Sequence, residues 1–139
     1  MAEPGGEARG LRIGLVALTV PNMLTGAWAL FAPSSWYSGF GPQGATPSLF
    51  GPYNEHFVQD LGGGFLAVGA VLLFALLRTQ RDVVRAALLA FFAFTLPHFA
   101  VHLVEQSGLS DSGFIFINVS LGASVVLAAW LWRLTSRLP

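Results

Sequence analysis

Two of the chain's three histidines stand four residues apart in LPHFAVHLVE, Leu96–Glu105, inside an otherwise apolar stretch. His98, His102 and Glu105 follow an i, i+4, i+7 spacing, which aligns them on one face of a helix. The third histidine, His56, precedes Asp60 by four residues and shares a helix face with it in the same way. Three imidazoles and two carboxylates can build a metal site. His98 and His102 would chelate from one helical turn, and His56 with Asp60 or Glu105 would complete the shell. Nitrogen and oxygen donors suit zinc, iron or copper(II), and the lack of cysteine argues against a soft copper(I) centre. Haem on one or two of the histidines is a further option. Asn118 and Glu105 are candidate contacts to such a cofactor.

The same side chains serve without a metal. A histidine beside a carboxylate is a general acid/base pair, able to isomerise, hydrate or open a lipophilic substrate. His102 and Asp60 lead the catalytic candidates, with His98 and His56 beside them. A third reading is structural, because buried polar groups need partners and such a network can fix helix packing.

What must position these residues is set by composition. The chain has 139 residues, 54% hydrophobic and 10% charged, with a mean hydropathy of +0.64. Soluble domains carry about a quarter charged residues. The formal net charge is zero and no basic block is present, so nucleic acid is not an expected partner. Without cysteine there are no disulfides, thiolate ligands or thiol redox chemistry.

Four apolar runs, residues 11–31, 57–77, 86–104 and 114–132, each approach the ~20 residues that cross a ~30 Å hydrocarbon core. Their only charges are Arg12, near an end, and Asp60. Backbone in lipid must satisfy itself, so these runs become helices. The first resembles a cleaved leader at Ala27-Trp28-Ala29, but Pro21 breaks it and Glu3 and Glu7 stand among its leading arginines. It is therefore read as a span. The expected fold is all-α, one membrane domain over residues 1–139.

Every basic residue is an arginine. Arg9 and Arg12 precede the first run, Arg78, Arg81 and Arg85 lie between the second and third, and Arg133 and Arg137 follow the fourth. The positive-inside rule then puts both termini in the cytoplasm of a multi-pass plasma-membrane protein. Short second and third connections give an up-down-up-down four-helix bundle. The first connection, Ala32–Glu55, has four prolines, four glycines and five aromatics but a single charge. Disorder favours charge over aromatics, so the segment is expected to form an ordered outer lid, with Trp36, Tyr37, Phe40, Phe50 and Tyr53 at headgroup level.

Depth brings the polar residues together. Asn54 is suited to cap the second helix. Along helices rising 1.5 Å per residue, Asp60 lies ~6 Å below His56 and His98 ~10 Å below Glu105. Asn118, Asn22 and Thr25 fall at comparable depth. Below Asp60 its face continues through Gly63, Gly64 and Ala67, small residues that let membrane helices approach. An aspartate facing lipid costs ~2.5–3.5 kcal/mol at mid-membrane, so Asp60 and His98 are expected to turn inward. Pro97 removes the N–H that would pair with the Ala93 carbonyl, and Pro21 that for Ala17. A kink at Pro97 would re-aim the histidine stripe.

GPYNEHFVQDLG (Gly51–Gly62), the short four-helix chain and the Trp-Tyr pair after the first helix resemble small actinobacterial membrane proteins, loosely similar to the DoxX-like four-helix group. That resemblance rests mainly on Asn54, Glu55, His56, Phe57 and Asp60. It implies a four-helix membrane bundle, in some members associated with respiratory or redox partners, and no settled activity. Three functions stay open: a metal- or cofactor-dependent enzyme acting on a lipophilic molecule, a metal-free acid/base enzyme, and an accessory subunit of a membrane complex.

Overall fold

A computed structural model describes residues 4–42, 44–106 and 108–138. Gln43, within the expected lid, and Glu3, used above, lie outside the described residues. The described chain is all-α. Helix α1 spans Pro4–Phe31, α2 Pro33–Gly39, α3 Glu55–Arg78, α4 Arg81–Val104 and α5 Asp111–Leu134, with 3₁₀ turns at Pro47–Leu49 and Thr135–Arg137. Four helices are long and apolar enough to cross a membrane: Gly6–Phe31, Glu55–Arg78, Arg81–Val104 and Asp111–Arg137. They alternate in direction and form a bundle in which α1 packs on α3, α3 on α4, α4 on α5, and α5 back on α1. A multi-pass membrane protein follows.

The helices run past the apolar runs into polar flanks, because helical hydrogen bonding continues wherever the backbone would otherwise be left unpaired. Asn54 caps α3 as expected, accepting from the Phe57 N–H at 3.1 Å, and Ser110 caps α5 through Gly113 N–H at 3.0 Å. Two residues, Thr79 and Gln80, turn α3 into α4. Thr79 takes the left-handed conformation, φ 40°, while its N–H bonds to Ala75 O at 2.8 Å. Helices α1 and α4 run through Pro21 and Pro97 without a break.

The tightest contact joins α1 to α3. A Cβ placed on Gly62 would lie 2.6 Å from Leu30 N and 2.9 Å from Gly26 O. One on Gly26 would lie 2.7 Å from Leu66 N and 2.9 Å from Gly62 O. The two backbones touch directly, which only paired glycines permit. Gly69 extends the contact against Met23. Of the small residues anticipated below Asp60, Gly64 packs closely on Phe94 of α4, whereas Gly63 meets nothing within 4 Å and Ala67 is exposed.

Packing divides the bundle into halves. Near the arginines, Leu11, Leu15, Leu72, Val84, Leu88 and Leu131 are fully enclosed, with Phe91 at the edge of this core. All seven arginines belong to that end. Arg81 donates to the carbonyls of Thr135 (3.3 Å), Ser136 (3.1 Å) and Leu138 (2.6 Å), at the chain end beyond α5 where carbonyls run short of helical donors. Arg85 donates to Thr135 Oγ1 at 2.9 Å and lies over the Trp132 ring, and Arg137 pairs with Glu7. At the opposite end the helices separate around a cavity, and a small cluster of Ala29, Trp36 and Val58 holds α1, α2 and α3 together.

The glycine contact generates a paired expectation. Gly62→Ala forces backbone apart and should destabilise the protein by about 1–3 kcal/mol. Gly63→Ala, one residue on, meets open space and should leave stability equal or up to about 1 kcal/mol higher, through helix propensity. Thermal unfolding of both variants in one detergent measures the difference. Equal melting temperatures would contradict the close α1–α3 crossing.

Candidate functional site

The hollow half contains a cavity of about 1140 Å³. Thr95, His98 and His102 of α4 and Glu105 just past its end line it, spaced so that each follows its neighbour by three or four residues on one face. Phe57, Val58, Leu61 and Phe65 of α3 form another wall, and Leu18, Asn22 and Thr25 of α1 a third. The exposed residues of the lining include Ala17 and Pro21 on α1 and Phe116, Ser120 and Ala123 on α5. These two helices meet at the arginine end, where Gly10 packs on Trp130 and Gly14 on Leu131. Past that contact they diverge, so the cavity opens sideways between them.

The first connection forms the roof, with more regular structure than its proline and glycine content indicated. Pro33 starts α2 at a position that tolerates its missing N–H. The ring of Trp36 stacks on Phe40 at 5.3 Å, and Trp36 is only 6% exposed rather than lying at the surface. Tyr37 donates its hydroxyl hydrogen to Gly51 O and packs on Tyr53. Ser110 N–H donates to Gly44 O at 3.3 Å, joining the roof to the α4–α5 connection. Gly108, with φ 78°, packs where a Cβ would lie 2.8 Å from Leu49 O.

Within this enclosure the two imidazoles of α4 contact each other edge to face, centroids 4.7 Å apart. Phe94 stacks on His98 at 6.1 Å, Phe65 meets it edge-on at 6.3 Å, and Phe50 of the roof meets His102 at 5.2 Å. His98 makes no hydrogen bond among the described residues, and neither ring nitrogen is sealed from the surroundings. For His102, Nδ1 is sealed without a partner, leaving Nε2 as its open nitrogen. The other sealed, unpaired side-chain atoms among the described residues are Trp36 Nε1 and Asn118 Oδ1. All three lie in the hollow half. Buried polar atoms are nearly always paired, so a local concentration of exceptions marks a region shaped for something besides stability.

No family model, curated protein or solved structure matches this chain. The assignment of a site therefore rests on its geometry.

Of the residues singled out by spacing, His98, His102 and Glu105 line one cavity. His56 and Asp60 do not join them. Their side chains pair with each other at 3.5 Å, 87% and 68% exposed, on the outer face of α3. The reason is rotational. Val58, Leu61, Gly62 and Phe65 occupy the inward side of α3, and the four-residue spacing that aligns His56 with Asp60 aligns both with Gly63 and Ala67 on the outward side. Asp60 thus meets a histidine, as an acid/base pair requires, but outside the cavity. The expected shell of His56, Asp60, His98 and His102 is not assembled, and no group of three His, Cys, Asp or Glu able to hold a metal occurs among the described residues. His98 and His102 alone supply two donors, fewer than the three protein ligands of a catalytic zinc site.

Asn118 has a different role from cofactor contact. Its amide nitrogen donates to His102 O at 3.2 Å and to Phe114 O at 2.9 Å. His102 O lies in the last turn of α4, where carbonyls lack helical donors. Asn118 therefore fastens α5 to α4 behind the histidine. The aromatic contacts from Phe50, Phe65 and Phe94 had no distinguishing signal in the sequence, since such residues are equally at home facing lipid.

Asn118→Ala removes the amide from a half-buried carbonyl and should destabilise the protein by about 0.5–1.5 kcal/mol. His56→Ala, on the exposed face, should leave the melting temperature unchanged. Thermal unfolding in detergent checks both, and the reverse order would refute this division of roles.

Proposed function

We propose that this chain takes up a lipophilic small molecule from the membrane and holds its polar end against His98 and His102. The observation that carries this reading is the cavity itself: apolar walls, a sideways opening between α1 and α5, and an imidazole pair with open nitrogens inside. Ligand sites are typically concave and mostly apolar, with a few convergent polar groups.

Two neutral imidazoles in contact present both N–H donors and nitrogen acceptors. They can hold a polar group and pass a proton to or from it, which is the metal-free acid/base reading of the site. The metal-dependent alternative needs ligands that the described residues do not bring together. His98 and His102 are the groups assigned to contact the reacting end. Thr95, one turn deeper, and Glu105, beyond the last residue of α4, extend the polar stripe on either side. Asn118 is a positioning residue, acting through the end of α4.

Orientation completes the proposal. With all seven arginines at one end, the positive-inside rule places that end and both termini in the cytoplasm of a plasma-membrane protein. The cavity and its roof then belong to the outer leaflet.

Two measurements test this. Purified protein, extracted with organic solvent and examined by mass spectrometry, should yield a stoichiometric lipophilic compound. Ser120→Trp, which fills the mouth at an exposed position, should lose that compound with little change in melting temperature. Absence of any co-purifying or saturably bound lipophile would sink the reading. The natural absence of cysteine allows clean topology mapping: Ser48→Cys should react with a membrane-impermeant maleimide on intact cells, and Ser136→Cys only after lysis. The opposite pattern would place the cavity on the cytoplasmic side.

A further inference from the structure

We infer that the ligand is an uncharged lipophile whose head is a hydroxyl or carbonyl group, rather than an anionic or cationic lipid. This rests on the reading of the cavity as a lipophile site and narrows the chemical class that it accepts.

Below the rim, where Glu105 stands, the polar groups of the described wall are neutral. Asn22, Thr25, Thr95, Ser120 and Ser124 contribute hydroxyls and an amide, and His98 and His102 contribute imidazoles. Asn22 and Ser124 donate to Leu18 O and Leu121 O of their own helices, at 2.8 and 2.7 Å. Thr25 and Thr95 make no hydrogen bond among the described residues. The wall thus offers donors and acceptors in close mixture, which suits a neutral head that accepts hydrogen bonds, as a carbonyl does, or both gives and accepts them, as a hydroxyl does.

Fixed positive charge is absent from the described lining. Every arginine is at the far end, with Arg85 about 20 Å from His98 along α4. Nor do helix ends supply a substitute. Helices α3 and α5 begin near the roof, but Asn54 and Ser110 cap them and Glu55 and Asp111 already stand in their first turns. A phosphate, sulfate or carboxylate head would find no permanent counter-charge in the described lining. Burying an unpaired charge costs far more than burying a hydrogen-bonded neutral group.

A cationic head fares little better at depth. No described carboxylate lines the cavity at the depth of the imidazoles to pair with it. The described carboxylate of the lining, Glu105, lies beyond the end of α4 and is exposed, where water screens it.

The discriminating experiment uses full-length protein in lipid nanodiscs and three probes that share one chain: hexadecanol, hexadecyl sulfate and hexadecyltrimethylammonium. Hexadecanol should bind saturably, one per chain, roughly tenfold or more tighter than either charged probe. His98→Gln with His102→Leu should weaken hexadecanol by roughly tenfold, the cost of lost polar pairing at an apolar site. Should that double variant fail to fold, Thr95→Val with His98→Gln supplies a milder test of the same stripe. Sulfate or ammonium binding as tightly as the alcohol would overturn the neutral-head inference while leaving the lipophile cavity standing. Failure of all three probes to bind saturably would overturn both.

Discussion

The shape of the hollow half depends on the direct backbone contact between α1 and α3 at Gly26 and Gly62. Between membrane helices the solvent is itself apolar, so close packing and not water exclusion drives association. With no side chain at either position, the two helices approach until each carbonyl lies near its neighbour's backbone. That contact ties α1 closely to α3 near the roof. Helix α5 packs on α1 at the other end, where Gly10 and Gly14 accept Trp130 and Leu131. A pair held tightly at one place and a pair held at the far end together leave a wedge of space, and the wedge is the cavity.

The two halves have complementary tasks. The solid half contains the enclosed leucines and the arginine contacts that satisfy the end of α5. The hollow half gives up core packing and retains three sealed atoms without partners. Functional regions commonly carry such local cost, supported by stability elsewhere in the fold. Here the division follows the direction of the four long helices, so each of them has one end for stability and one for the site.

The sequence carried much of the architecture and less of the site. Hydrophobic length identified the four spanning helices, and arginine placement grouped their ends, because both signals are sums over many residues. Asn54 as a cap was legible from residue type alone. The histidine stripe of α4 was legible because three polar residues recur at helical spacing in an apolar run. The inward side of α3 was not. Its polar residues, His56 and Asp60, suggested one face by their cost in lipid, while Gly62 and Phe65 determined the opposite one by packing. Near a helix end that cost falls, since water is close by and the pair satisfies itself. Arg81 and Arg85 likewise read as topology markers, and their bonds to residues fifty or more positions away have no local pattern.

The sideways mouth has a thermodynamic consequence for selection. On the proposed reading a ligand arrives from the bilayer and has already left water, and lipid tails are as apolar as Leu18, Leu121 or Phe65. Moving its chain from membrane to cavity therefore releases almost no hydrophobic free energy, and ordinary acyl chains compete for the same space at enormous local concentration. Discrimination must come from the few polar atoms at the head and from shape. The relevant concentration scale is mole fraction in the membrane, not molarity in water. On that scale an aqueous dissociation constant largely reports partitioning, and the small residue left after subtracting it is the contribution of the two imidazoles and their neighbours.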